Sequence, residues 1–269
     1  MRDTETAFNS LDGTALYGTV AESELPAYGA AVLVHGSGVT REEGGFFTRL
    51  ASSLADAGVP NLRFDLRAHG ASAGREAELT IAGVANDVRA AVDHVRRSTG
   101  WPGPVHVVSA SFSGGACARF AGHRPDDIDR LVLLNPRLDY RERYTTTRPG
   151  WTDDYLSPET AKHLDAHGFT ERSPFELGRA LLNEVLLWEL PSVLGAVRSP
   201  VLVLHGTADT FVPVETSRRL LPLFGASAEL VEIEGAQHGF AVHDDPKYLD
   251  PQTQAWQRDV ISRVRAFLA

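Results

Sequence analysis

Residues 105–118 read VHVVSASFSGGACA, and this stretch decides how the rest of the chain is organised. It opens with a short apolar run that only His106 interrupts, and a dense group of small residues follows. Alanine-rich sequence of helical character comes next. The order favours a buried strand, then an abrupt turn, then a helix.

The turn of this stretch has serines in the pattern Ser-x-Ser-x-Ser. A nucleophile elbow places a nucleophilic serine on a strained strand-to-helix turn, and the residues two before and two after it must be small. Ser109 and Ser113 hold those two positions, where the common G-x-S-x-G motif has glycine, and Ser111 lies between them. We prefer Ser111 as the nucleophile because the apolar run ends just before Ser109. There are two alternatives. In the first, the motif is centred on Ser113, which is then the nucleophile. In the second, the turn is tightly packed but has no catalytic role.

Length, charge and cysteine content narrow the class of protein. A chain of 269 residues can bury a large core in one alpha/beta domain with an insertion. The formal net charge of −9 argues against a nucleic-acid partner, because binding phosphates requires a basic face. Cys117 is the single cysteine, and the first residues lack the apolar core of a signal peptide, so we expect a cytoplasmic protein. No apolar run approaches the roughly 20 residues of a membrane span.

The rest of the sequence alternates apolar runs with helical patterns. Asp12-Gly13 predicts a hairpin that opens the sheet at its edge. Further strands are predicted at 30–34, 61–64, 131–134, 201–204 and 230–233, and helices from residue 46, over 80–97, from the elbow to about residue 123, and at the end of the chain. This alternation implies right-handed crossovers and a mostly parallel sheet, the organisation of an alpha/beta protein.

Residues 137–199 interrupt the alternation with helix-like segments that several prolines divide. We expect this insertion to cap the carboxyl ends of the strands, where ligands bind in open alpha/beta sheets. Residues 1–136 and 200–269 would then form the core of the domain. Aromatic residues of the cap are candidates for binding an acyl chain, with the cap's own small core as the alternative: Trp151, Tyr155, Phe175 and Trp188.

A serine nucleophile needs a base, and the base needs a carboxylate that orients it. Asp209 follows the strand predicted at 201–204, and His238 follows the strand predicted at 230–233. Ser111, Asp209 and His238 each lie just beyond the carboxyl end of a predicted strand, so a catalytic triad is expected at one edge of the sheet. In this triad Ser111 attacks an acyl carbon, His238 takes and returns the proton, and Asp209 holds the imidazole tautomer.

An acyl-transfer site also needs donors for the oxyanion that forms on the substrate. The backbone N–H groups of Phe112, directly after the nucleophile, and of Ser37, in the glycine-rich loop that follows the strand at 30–34, are the expected oxyanion hole. The other histidines are scattered without the paired spacing of metal ligands. We therefore predict neither a metal nor a cofactor.

Together these motifs resemble the alpha/beta-hydrolase superfamily over nearly the whole chain. The resemblance rests on the elbow and its order before Asp209 and His238, on His35-Gly36, and on the runs FDLRAHG at 64–70, GTAD at 206–209 and GAQHG at 235–239. It implies a central sheet with helices on both faces and a helical cap. The elbow is similar to that of the acyl-transferase/thioesterase family of bacterial bioluminescence. The first half is similar to feruloyl-esterase-like and monoglyceride-lipase-like hydrolases, although Ala68 stands where those have glycine.

The leading hypothesis for function is a serine hydrolase that cleaves a carboxylic ester or an acyl thioester through an acyl-enzyme. The substrate would be a small acyl compound, free or bound to a carrier protein. Acyl transfer to an alcohol or an amine uses the same triad and is the alternative within enzymes. A non-catalytic small-molecule binder on a hydrolase fold is the alternative from another class.

Overall fold

The structure is a computed structural model, and it describes residues 2–172, 174–245 and 247–269. Its strands are, in chain order, β1 (Arg2–Asn9), β2 (Ala15–Glu22), β3 (Ala31–Val34), β4 (Asn61–Phe64), β5 (Val105–Ala110), β6 (Ile128–Leu134), β7 (Trp151–Thr152), β8 (Tyr155–Leu156), β9 (Phe169–Arg172), β10 (Glu176–Gly178), β11 (Val201–Gly206) and β12 (Ala228–Ile233). Its α-helices are α1 (Phe46–Ala55), α2 (Ile81–Thr99), α3 (Ser113–His123), α4 (Pro158–His167), α5 (Arg179–Leu186), α6 (Leu190–Gly195), α7 (Val214–Leu220) and α8 (Pro251–Leu268).

One mixed sheet of eight strands carries the fold, in the order β1-β2-β4-β3-β5-β6-β11-β12. The predicted hairpin joins β1 to β2, and both pairings of β2 are antiparallel. From β4 to β12 every neighbouring pair is parallel. The expected mostly parallel sheet is therefore confirmed.

The core lies on both faces of this sheet. Val32 and Val34 of β3 belong to one buried apolar cluster with α2 and α3, whereas Leu33 belongs to another with α1 and α8. A strand covered on both sides needs apolar side chains at every position, which explains the continuous apolar runs. The side chain of Thr80 caps α2 by accepting the N–H of Gly83, and the apolar stripe of that helix then faces the sheet.

Residues 137–199 are less helical than we expected. This segment contains a short π-helical turn (Glu142–Thr146), α4, α5 and α6, but also two antiparallel strand pairs, β7 with β8 and β9 with β10. Asp153 and Asp154 both have positive φ angles, 49° and 66°, and they form the turn between β7 and β8. Strands of two residues are too short for a periodic pattern, which is why the sequence did not predict them.

The parallel strands bring their carboxyl ends to one edge of the sheet. The loops after β3, β5, β6, β11 and β12 therefore meet there, and they carry the residues that the sequence singled out. None of the described helices combines the length and the apolar character needed to cross a bilayer.

Candidate active site

The elbow lies between β5 and α3. Ser111 follows Ala110 directly and has a φ angle of 51°, a left-handed conformation that is strained for any residue other than glycine. Its N–H donates to the carbonyl of Leu134 at 2.9 Å. The strand is longer than its apolar run predicts, because Ser109 and Ala110 still pair with the neighbouring strands.

The two serines that flank Ser111 are buried. The hydroxyl of Ser113 lies 3.0 Å from the carbonyl oxygens of both Val34 and Ala110, to which it can donate. Ser109 lies inside the fold near the thiol of Cys117, and burial raises the pKa of that thiol to about 12. Ser111 is half-buried, so it is the one serine of these three that is not fully enclosed.

The glycines after the elbow allow α3 to approach the segment that follows β6. A β-carbon at Gly115 would lie 2.5 Å from the ring of Tyr140, and one at Gly114 would lie 2.8 Å from Pro136. The hydroxyl of Tyr140 accepts the N–H of Ala116 at 3.0 Å and donates to the carbonyl of Phe112. The hydroxyl of Tyr140 thus fixes the backbone of the turn through two hydrogen bonds.

Ser111, His238 and Asp209 form a continuous chain of hydrogen bonds. The Oγ of Ser111 lies 2.9 Å from Nε2 of His238, and Nδ1 of His238 lies 2.7 Å from Oδ2 of Asp209. A proton on Nδ1 satisfies the carboxylate and leaves Nε2 free to accept the serine hydroxyl. The three residues predicted to meet at this edge of the sheet are therefore in contact.

The carboxylate of Asp209 is buried and fully hydrogen-bonded. Its Oδ1 accepts the N–H groups of Phe211 and Val212 at 2.8 and 2.9 Å. Burial by itself would raise the pKa of Asp209, but hydrogen bonds from His205 and His238 and the backbone hold that pKa well below its usual value. Asp209 is therefore ionised at neutral pH and can stabilise a positive charge on His238.

A loop after β3 passes directly beside the nucleophile. A β-carbon at Gly36 would lie 3.0 Å from Cβ of Ser111, closer than an ordinary contact, so a larger residue there would push against the nucleophile. The N–H groups of Ser37 and Phe112 have no acceptor among the residues that the structure describes. They are available for a ligand at the cavity beside Ser111, which both residues line.

Two histidines form hydrogen bonds with the backbone of this loop. Nδ1 of His35 donates to the carbonyl of Gly36 at 2.6 Å, and Nε2 of His35 accepts the N–H of Leu66 at 2.9 Å. His69 accepts the N–H of Gly38 at 3.2 Å. Burial lowers the pKa of His35 to about 4, so this imidazole stays neutral and keeps both roles.

The cavity beside Ser111 has a volume of about 240 Å³. Its wall includes Arg137, Arg143, Tyr144, Pro174 and Phe211, in addition to the residues already described. None of these five residues was predicted from the sequence. Arg137 and Phe211 nevertheless follow strand ends closely, after β6 and β11, and that position is the signal that could have indicated them.

The aromatic residues predicted to bind substrate lie elsewhere. Phe175 is buried behind the cavity wall, with ring centroids 5.2 Å from Phe112 and 6.4 Å from Tyr144. Trp188 packs edge-on against Tyr140 and donates its Nε1 proton to a backbone carbonyl. Trp151 and Tyr155 belong to the β7–β8 pair, and Tyr155 is largely exposed. None of these four predicted residues lines the cavity.

Within residues 2–172, 174–245 and 247–269, no group of three or more His, Cys, Asp or Glu side chains could hold a metal ion.

Comparisons with known proteins match most of this chain. The sequence model described as "Alpha/beta hydrolase family" matches residues 31–250. A monoacylglycerol lipase of Mycolicibacterium smegmatis is 24% identical over 243 residues, which cover 81% of this chain and 83% of the lipase. Lipase LipV of Mycobacterium tuberculosis is 34% identical over 134 residues, about half of each chain (49% and 48%).

Solved structures show the same architecture. Est1E of Butyrivibrio proteoclasticus, with ferulic acid bound, has a TM-score of 0.74 at 20% identity and covers 96% of this chain and 99% of its own. Mouse alpha/beta hydrolase domain-containing protein 10 has a TM-score of 0.74 at 19% identity, with 98% of both chains covered. At these identities the likeness concerns the fold.

Proposed function

Because this chain belongs to the alpha/beta hydrolase family, as its motifs predict, we propose that it is a serine hydrolase that cleaves a carboxylic ester or an acyl thioester. The observation that carries the proposal is the hydrogen-bonded chain from Asp209 through His238 to Ser111. Relatives named monoacylglycerol lipase, esterase and lipase support ester cleavage.

In the first half of the reaction Ser111 becomes acylated. Its Oγ forms a bond to the acyl carbon while its proton passes to Nε2 of His238, and the carbonyl π electrons move to oxygen. When that tetrahedral intermediate collapses, the bond to the leaving alcohol or thiol breaks, and the leaving group takes the proton from His238. Asp209 stabilises the imidazolium throughout and keeps Nδ1 protonated.

In the second half water releases the acid. His238 takes a proton from water as its oxygen bonds to the acyl carbon, and the proton then returns to Oγ of Ser111 as the acyl bond breaks. The products are one carboxylic acid and the free enzyme. An alcohol or amine in place of water would give acyl transfer, so product analysis with a competing acceptor separates the two activities.

We assign the oxyanion hole to the N–H groups of Ser37 and Phe112. Support comes from their unused donors and from the approach of Gly36 to Ser111. Removing one such donor typically lowers turnover roughly 100- to 1,000-fold. Because these donors belong to the backbone, replacing the side chain of Ser37 or Phe112 would not remove them.

We also propose that residues 137–199 cap a core made of residues 1–136 and 200–269. The cap contributes Arg137, Arg143, Tyr144 and Pro174 to the cavity wall beside Ser111. A small-molecule ester or thioester, free or held on a carrier protein, is the substrate class that we propose, with the cytoplasm as the compartment.

The decisive experiment is intact-mass spectrometry after incubation with a fluorophosphonate. We expect one adduct on the wild-type protein and on Ser113→Ala, and none on Ser111→Ala. An adduct that vanishes only in Ser113→Ala would move the nucleophile to the second frame. No adduct on any folded variant would contradict the proposal and favour a non-catalytic binder.

A further inference from the structure

Two arginines stand in the wall of the cavity beside Ser111. Arg137 and Arg143 line it, and its lining residues include no carboxylate side chain. A second cavity of about 410 Å³ lies next to it, and Arg137, Arg143 and Phe211 form part of its wall as well. Both arginines therefore line the region where the two cavities adjoin.

The second cavity also has carboxylates in its wall, from Asp139 and Glu142, but neither pairs with Arg137 or Arg143. Glu142 pairs with Arg219 at 2.7 Å, and Glu171 pairs with Arg148 at 3.1 Å. Asp139, in the wall of the second cavity, accepts the N–H of Glu142 at 2.9 Å. In the part of the chain that the structure describes, neither Arg137 nor Arg143 forms an ion pair with a carboxylate.

The two arginines are held in place without a counter-ion. The guanidinium of Arg137 donates to the carbonyl of Phe211 at 2.5 Å, and its backbone N–H donates to the carbonyl of Ser111 at 2.8 Å. The guanidinium of Arg143 lies 5.6 Å from the ring centroid of Tyr144. Burial lowers the pKa of both arginines, the expected effect when a cation loses water without gaining an anion.

This positive wall is unusual for a chain whose formal net charge is −9. Arginine presents a planar set of donors that matches carboxylate and phosphate groups, and such pairs are strong where water is excluded. The same wall also contains the aromatic residues Phe112, Tyr144 and Phe211. The cavity is thus suited to a molecule with an apolar portion and an anionic group.

We propose that Arg137 and Arg143 bind a carboxylate or phosphate group on the ester or thioester that Ser111 attacks. This inference rests on the proposed hydrolase function and names its substrate class: acyl compounds that carry an anion. The anionic group would lie between the two cavities, and the scissile carbonyl would lie beside Ser111.

The test compares two aryl esters of equal chain length, the mono-4-nitrophenyl ester of glutaric acid and 4-nitrophenyl pentanoate. We expect the wild-type kcat/KM to favour the anionic ester by about tenfold or more, mainly through KM. Arg143→Gln should reduce this ratio by about tenfold, while Arg143→Lys should keep part of it because the charge remains. The 4-nitrophenyl ester of 4-phosphonobutanoic acid, in parallel, distinguishes a carboxylate site from a phosphate site.

The matched control is Arg141→Gln, since Arg141 pairs with Asp154 and does not line either cavity. This variant should keep the wild-type ratio. A wild-type ratio near or below one, or a ratio that Arg143→Gln leaves unchanged in a protein with wild-type thermal stability, would overturn the anion site.

Failure of the hydrolase proposal would look different, because neither ester would then be cleaved in a Ser111-dependent way. In that case calorimetry on Ser111→Ala decides the anion site separately, with the 4-nitroanilides of glutaric and pentanoic acid as probes. Tighter binding of the glutaric compound, lost in the double variant with Arg143→Gln, supports the site. Equal binding of both compounds overturns it.

Discussion

Gly36 and Ser111 lie so close that a β-carbon on Gly36 would be 3.0 Å from Cβ and 3.6 Å from Oγ of the serine. Gly36→Ala must therefore displace either the nucleophile or the loop that presents the N–H of Ser37. A misplacement of about 1 Å can cost roughly 100-fold in turnover, and relieving this contact needs a smaller shift, so we expect kcat for an aryl ester to fall by about tenfold. Steady-state kinetics and circular dichroism would show lost activity in a folded protein.

The control for Gly36→Ala is Gly195→Ala in α6. The nearest atom to a β-carbon there is 3.9 Å away, and that glycine lies in a helix, where alanine is favoured. This variant should keep wild-type kcat. Equal activity of the two variants would contradict the role that we assign to the loop after β3.

Replacing Asp209 by asparagine should remove most of the activity. The amide can still accept the N–H groups of Phe211 and Val212 through its oxygen, but its nitrogen donates and cannot accept the Nδ1 proton of His238. The imidazole would then take the wrong tautomer, and we expect kcat to fall roughly 1,000- to 10,000-fold. Asp245→Asn, which alters a carboxylate that also accepts two backbone N–H groups, should leave kcat unchanged.

Glu43 should make the protein less stable as the pH rises. Burial raises the pKa of its carboxyl to about 7, from an ordinary value of 4.5. Between these values the unfolded chain has lost this proton while the folded protein still holds it, so the free energy of unfolding falls with increasing pH. This contribution is fully present below about pH 4.5 and fully lost above about pH 7.

Glu43→Gln removes this titration, because its amide oxygen can still accept the N–H of Gly36. We expect the variant to be more stable than the wild type by on the order of 2–3 kcal/mol at pH 8, with the gain shrinking toward zero at pH 4.5. Denaturant unfolding at several pH values measures this difference. Glu229→Gln, on the exposed side of β12, is the control, and a gain that does not grow with pH would contradict the prediction.

The sheet and the meeting of Ser111, Asp209 and His238 could be predicted from the sequence for one physical reason. Strands covered on both faces need continuous apolar runs, and the run at 30–34 contains all of β3. Parallel strands end at the same edge, so polar residues just beyond those runs must become neighbours. Short-range sequence patterns were thus sufficient to predict the sheet and the three residues that meet at its edge. They were not sufficient for α7, which has only two turns and no clear apolar period.

The wall of the cavity could not be predicted in the same way. The path of the chain after β6 depends on tertiary contacts, such as that between Tyr140 and Phe112, which have no sequence period. Trp188 was predicted to contact substrate because its side chain is aromatic. A large apolar ring is equally suited to filling the interior of the cap segment, and Trp188 is buried there. The wall is instead made partly of Arg137 and Arg143, which composition alone assigns to the surface.

The strain at Ser111 can be measured by comparing two inactive variants. Its φ angle of 51° costs an L-residue roughly 1–2 kcal/mol, whereas glycine adopts it freely. Ser111→Ala keeps this strain and Ser111→Gly relieves it, so Ser111→Gly should have the larger free energy of unfolding, by about 1 kcal/mol. At Ser113, in the first turn of α3, the order should reverse, since glycine is less stable than alanine in a helix by about 1 kcal/mol. Denaturant unfolding of the four variants gives both differences, and the same sign at both positions would show that the elbow is not strained.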